Sequence, residues 1–183
     1  MFKKLLIKSA SILETAGIPY IVIGGQAVLL YGEPRFTRDI DIALGIDIDQ
    51  RKRVMTAFEK TGFVPRPKDL DKFVQETSVM PLEHSESGIR LDLIFSFSPY
   101  ERNAIDRANF VELDDVKIAF ASVEDVIIMK LFAGRPRDME DIKIIVVKNS
   151  RLDKKYIEDW LRSFEKIVHR PLLKFWKEII AKR

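Results

Sequence analysis

Two clusters of residue types in this chain could act on a phosphate. The first is a glycine pair, Gly24-Gly25, between the β-branched run Tyr20 to Ile23 and the apolar stretch Gln26 to Leu30. Glycines leave backbone N–H groups uncovered. A helix starting there adds unpaired donors and a positive dipole end, which together make an anion site. The second is Asp39-Ile-Asp-Ile-Ala-Leu44, whose period-two alternation predicts a strand with Ile40, Ile42 and Leu44 on one face. Asp39 and Asp41 then sit side by side on the other. Two like charges near contact repel by about 1 kcal/mol in water and by roughly 4 kcal/mol at a surface-like dielectric. A hard divalent cation such as Mg²⁺ reverses that sign and prefers carboxylate oxygens plus substrate phosphates. A lone Gly-Gly is usually a turn and a lone Asp-x-Asp a solvated strand edge. In this order, on strand, helix and strand, they point to metal-dependent phosphoryl chemistry.

The elements that must hold these residues follow from periodicity. Residues 2 to 16 carry apolar positions at helical spacing, closed by Gly17 and Pro19. Asp49 is placed to cap a helix through about Lys60. Residues 63 to 77, with Pro65, Pro67 and mixed charges, read as a loop. Val79 to Glu83 reads as a strand that Pro81 confines to a sheet edge. Ile89 to Phe95 is a clear strand in which Leu91, Leu93 and Phe95 share one face and Arg90, Asp92 and Ile94 the other. Asp92 is its sole carboxylate, and alone it would be read as an exposed edge residue. A short helix over 100–108 precedes two strands, 109–113 and 116–121, which flank an Asp114-Asp115 turn.

Ser122 to Asp125 is a capping-box pattern opening a helix to Gly134, with Lys130 inside its apolar segment. A second helix starts at Arg135-Pro136, and Asp138 and Asp141 share one of its faces. Alone, those aspartates would be read as helix-dipole partners. Residues 153 to 183 form two amphipathic stripes separated by Pro171. They are expected to pack on the core or on each other.

With 183 residues, 46% hydrophobic and 32% charged, the chain is long enough for one domain with a sizeable core or a small domain plus a helical extension. It lacks a run of about 20 apolar residues, so no membrane span is expected and the cytoplasm is the expected compartment. Lys8 and Ser9 interrupt the N-terminal apolar run too early for a signal peptide. Absent cysteine excludes disulfides, thiol nucleophiles and cysteine zinc sites. His84 and His169 are too few for a histidine-rich metal site. A net charge of +3 permits a nucleic-acid partner without arguing for one.

The apolar strand, Gly-Gly and Asp-apolar-Asp-apolar order resembles the nucleotidyltransferase superfamily that includes polymerase β. The run Arg35-Phe-Thr-Arg-Asp-Ile-Asp41 is similar to its AbiEii/AbiGii-type toxin branch. So is the set Lys130, Arg135, Arg137, Asp138 and Asp141. The resemblance covers about residues 18 to 147. It implies an α/β (α+β) fold, a small mixed twisted sheet flanked by helices. Residues 1–150 would be catalytic and 151–183 a helical extension packed on them. It implies NTP binding at Gly24, Gly25, Arg35, Thr37, Lys130, Arg135 and Arg137. Mg²⁺ or Mn²⁺ would sit on Asp39, Asp41 and Asp92. Asp138 would orient a basic side chain or the acceptor, and Asp141 would brace the helix pair. The implied reaction transfers NMP to a hydroxyl of RNA, tRNA or protein, in a toxin with an antitoxin partner. An aminoglycoside-like small-molecule acceptor and a catalytically silent nucleotide-binding module are the alternatives.

Overall fold

The computed structural model describes residues 1–34, 37, 39–96 and 98–181. They divide into two compact units, Met1–Gln26 with Phe36–Phe120 and Ala27–Arg35 with Ala121–Arg183.

The first unit is built on a seven-stranded mixed sheet. Its strands are β1 (Tyr20–Val22), β2 (Asp39–Leu44), β3 (Phe63–Pro65), β4 (Val79–His84), β5 (Arg90–Phe95), β6 (Asn109–Leu113) and β7 (Val116–Phe120). The spatial order is β3-β4-β5-β2-β1-β7-β6. The β2–β5 and β1–β7 pairs are parallel and the others antiparallel. Alternate apolar residues, among them Ile40, Ile42, Leu91, Leu93 and Met80, are fully buried. Helix α1 (Phe2–Thr15) packs on β7 and on α3 (Arg51–Phe58), and α5 (Pro99–Asp106) packs on β1. Asp114 and Asp115 both take the left-handed backbone that a tight hairpin turn needs.

Three local expectations change. Residues 63–77 are not a loop: they form β3 and the helix α4 (Leu70–Thr77), which packs on β4. Asp69 caps α4 by accepting the Lys72 N–H at 3.0 Å, and Leu70 and Val74, four apart, are its buried face. Strand β4 is not at an edge, since β3 and β5 flank it. Pro81 is tolerated there because of the ladder's phase. Donors His84 and Phe95 bond Ile89 and Ser78, so the even-numbered residues of β4 face β5. Pro81 directs its missing donor to the β3 side, where β3 has ended and only its carbonyl is used, by the Arg66 N–H. Finally, Asp47 rather than Asp49 is the cap, over a 3-10 turn Ile48–Gln50 that leads into α3.

In the second unit, α6 (Val123–Ala133), α7 (Pro136–Lys148), α8 (Lys154–Val168) and α9 (Leu172–Ile180) pack together. The helix α2 (Gly24–Tyr31) begins in the first unit and ends in the second. Its end is tied to α7 by Asn149 and Lys148, which donate to the carbonyls of Tyr31 and Gly32. Buried Asp125 on α6 accepts from the hydroxyls of Ser122 and Tyr156, and the latter fastens α8. Ile157 and Leu161 of α8, and Leu172 and Trp176 of α9, are fully buried. No helix among the described residues is long and apolar enough to cross a membrane.

Asp69→Ala is expected to destabilise the chain by about 1 kcal/mol through loss of the α4 cap, and Asp69→Asn by much less. Urea unfolding of the three proteins measures this; equal midpoints would remove Asp69 from the capping role.

Candidate active site

Burial of the apolar face decides where the carboxylates go. Ile40, Ile42, Leu91 and Leu93 are inside, so Asp39, Asp41 and Asp92 must point to the opposite face, where each is half-buried. Parallel pairing sets Asp41 directly opposite Asp92, and Asp39 opposite Arg90. Neighbouring strands are about 4.8 Å apart, so Asp41 and Asp92 are adjacent. Pro81 on β4 pairs with Asp92, and Arg66 bonds Pro81. One row therefore reads Arg66, Pro81, Asp92, Asp41. The next reads Val64, Glu83, Arg90, Asp39.

Burial pushes the Asp92 carboxyl above the usual range. The Asp39 charge adds to this, and Arg66 and Arg90 partly offset it. The donor set, three carboxylates and no sulfur or imidazole, suits a hard divalent cation. The side chains as placed do not close into a cage: among the described residues no group of three His, Asp or Glu converges to hold a metal ion. The backbone register thus supplies the adjacency, and the like charges have no net attraction of their own to draw the oxygens together.

Gly24 opens α2 with a left-handed φ of 61°. A Cβ there would lie 1.9 Å from Asp41 Oδ2. The bare Cα thus makes room for the Asp41 carboxylate, and the Ile23 N–H donates to the Asp41 carbonyl at 2.9 Å. Gly25 is buried, and Gln26 donates to the Thr37 hydroxyl. Arg35 lies outside the described residues.

Lys130, Asp138 and Asp141 belong to the second unit. Gly134, left-handed at φ 67°, ends α6 so that α7 folds back on it. Lys130 is buried, and its ammonium donates to Asp138 Oδ1 at 2.8 Å and Asp141 Oδ2 at 2.7 Å. Asp138 also caps α7 by accepting the Arg135 N–H. Lys130 is thus turned onto two carboxylates of its own unit, while the Arg135 and Arg137 side chains are exposed.

Sequence reasoning did not single out the cleft of about 430 Å³ beside Asp92, between Arg66, Phe73, Thr77, Val79 and Pro81. Reading 63–77 as a loop hid it. The signal that could have found it is Asp69 placed ahead of Leu70 and Val74 at helical spacing.

Residues 3–169 match the family described as "Nucleotidyltransferase of unknown function (DUF6036)". The chain belongs to this family and is a transferase enzyme. No curated protein sequence matches it. Several solved structures share the fold. ANT(2″)-Ia in complex with adenylyl-2″-tobramycin is 16% identical with a TM-score of 0.60, over 90% of this chain and 97% of that one. An antigenic nucleotidyltransferase-like protein from Paracoccidioides brasiliensis is 17% identical with a TM-score of 0.59, over 94% and 89%. The lincomycin-bound lincosamide antibiotic adenylyltransferase LnuA is 22% identical with a TM-score of 0.52, over 76% and 92%.

Two outcomes follow from this geometry. Gly24→Ala should cost about 1–2 kcal/mol for the left-handed backbone alone, with displacement of Asp41 added. A thermal melt should fall by at least about 2–4 °C, and an unchanged Tm would show that Gly24 is not required. Asp92→Asn should raise Tm at neutral pH without metal. A raised folded-state pKa gives stability that is present below the unfolded value and lost as pH rises through the folded one. The parent therefore loses stability over that rise and the variant does not. The gain should shrink as pH falls to about 4; a gain independent of pH would contradict the role of the Asp92 charge.

Proposed function

On the premise of that family, we propose that the chain transfers a nucleoside monophosphate from an NTP to an acceptor hydroxyl on RNA, including tRNA, or on a protein. The observation that carries this is the β2–β5 register, with Asp41 opposite Asp92 and Asp39 on the same face, next to the glycine start of α2. Asp39, Asp41 and Asp92 would hold Mg²⁺ or Mn²⁺. Such an ion, when bound, supplies Lewis-acid polarisation of phosphoryl oxygens and neutralises their charge.

The remaining roles belong to the chain's own groups. The N–H groups at Gly24 and Gly25 bind triphosphate oxygens. Asp92, opposite Asp41 in the ladder, takes the proton of the acceptor hydroxyl. The acceptor oxygen forms a bond to the α-phosphorus, the α–β bridging bond breaks, and pyrophosphate leaves. Arg135 and Arg137 are exposed guanidiniums that suit phosphate oxygens. Thr37 positions Gln26 near the start of α2. Asp138 and Asp141 orient Lys130. We assign the catalytic role to residues 1–150, with 151–183 as a helical extension. The Lys130-to-Asp141 motif supports, as the finer part of this proposal, a toxin of the AbiEii/AbiGii type with an antitoxin partner.

Calorimetric titration of NTP with and without Mg²⁺, on the parent and on Asp41→Asn, tests the site. Metal-dependent binding should be present in the parent and lost in the variant. Asp92→Asn should keep NTP binding but transfer labelled α-phosphate to RNA or protein at least about a hundredfold more slowly. Equal metal-dependent binding by parent and Asp41→Asn, or undiminished transfer by Asp92→Asn, would overturn the assignment.

A further inference from the structure

The cleft beside Asp92 has a composition that selects among acceptors. Its volume, about 430 Å³, is within the range of ligand pockets, roughly 300–1,000 Å³. Phe73 presents its ring on one wall and is 37% exposed, whereas Leu70 and Val74 of the same helix are buried. The Thr77 hydroxyl is already engaged, donating to the Phe73 carbonyl at 2.7 Å and accepting the Val79 N–H at 3.2 Å. It therefore fixes the wall. Val79 and Pro81 complete an apolar floor. The polar groups left to meet a ligand are Asp92 at one side and Arg66 at the other. Among the described residues, Arg66 pairs loosely with Glu83 at 3.7 Å, both side chains being partly exposed. Surface pairs of this kind contribute little, so a ligand anion can replace Glu83 at small cost.

A planar ring, one guanidinium and one carboxylate lining one cleft match the parts of a nucleotide. A nucleobase stacks on an aromatic face whatever its identity. A guanidinium fork fits a phosphate. A carboxylate accepts from a ribose hydroxyl. A polycationic acceptor would instead meet the Arg66 guanidinium in the cleft as a like charge. We propose that this cleft seats the hydroxyl-bearing terminal nucleotide of a single-stranded RNA acceptor, with its base on Phe73, its phosphate at Arg66 and its ribose hydroxyl at Asp92. The proposal rests on the nucleotidyl-transfer reading above and chooses RNA over protein as the acceptor.

The test is fluorescence anisotropy of a 5′-labelled, mixed-sequence single-stranded oligoribonucleotide with a free 3′ end, titrated with the full chain without NTP or metal. Phe73→Ala should weaken binding by about fivefold or more, the lower end of base–aromatic stacking, and Phe73→Tyr should retain it. Arg66→Ala should weaken binding and lower the salt slope by about 0.7, one phosphate contact to a single strand. Phe110→Ala, which removes an exposed ring on β6, should bind like the parent. Calorimetry with NTP should give all four variants the parent's affinity. Loss of RNA binding with NTP binding intact isolates this cleft from the nucleotide site. The same RNA pattern in a chain that binds no NTP would uphold the cleft and sink the transfer reading. Melting curves identify any variant that fails to fold, and exposed Arg66 then decides the case. Equal RNA binding by parent, Phe73→Ala and Arg66→Ala would overturn the proposal. So would equal weakening by Phe110→Ala, no RNA binding by the parent, or labelling of protein alone.

Discussion

The parallel pairing of β2 with β5 is the constraint on which the candidate site depends. It places Asp41 opposite Asp92, and a slip of one residue would turn every side chain of one strand to the other face. Burial holds the register. Ile40, Ile42, Leu44, Leu91, Leu93 and Phe95 are all inside, and each contributes about 1.5–3 kcal/mol. The repulsion between half-buried carboxylates is at most comparable to one or two such side chains. Six buried side chains therefore outweigh it, and the chain can keep three like charges on adjacent positions without a cation. Burial first, and the Asp39 charge second, push the Asp92 carboxyl above its ordinary value.

Gly24 belongs to the same constraint. Once Asp41 is fixed on the strand, its carboxylate occupies the space a Cβ of Gly24 would need. The glycine is required first by a neighbouring side chain and by a left-handed backbone. The donors it leaves uncovered at the start of α2 follow from the same absence of a side chain. A carboxylate beside a helix N-terminus is also favourably placed for the helix dipole, so strand and helix start support each other.

In the second unit, one buried ammonium has a different role. Lys130 lies between Asp138 and Asp141, and Asp138 also caps α7. Burying a charge without partners would be prohibitive; with two carboxylates in hydrogen-bond contact it becomes a brace for the α6–α7 corner. The neighbouring guanidiniums of Arg135 and Arg137 stay exposed.

Much of this was legible in local pattern. Period-two alternation places Asp39, Asp41 and Asp92 on polar faces, and capping residues mark α6 and α7, because these signals act within a few residues. The stretch 63–77 was not legible, since Pro65, Pro67 and the charges around Lys68 mask a helix that needs only Asp69, Leu70 and Val74 to form against β4. Pro81 looked like an edge marker because its cost depends on which neighbour its missing donor would face, and that is a property of the ladder. By itself the sequence determined which residues are acidic, which face they take and where the glycine break falls. Only the tertiary structure decided that Asp41 meets Asp92, that Asp41 fills the space over Gly24, that Lys130 is turned inward, and that Arg66 and Phe73 border Asp92. The physical reason is that register and burial are relations between strands and helices far apart in the chain, and no local pattern encodes them.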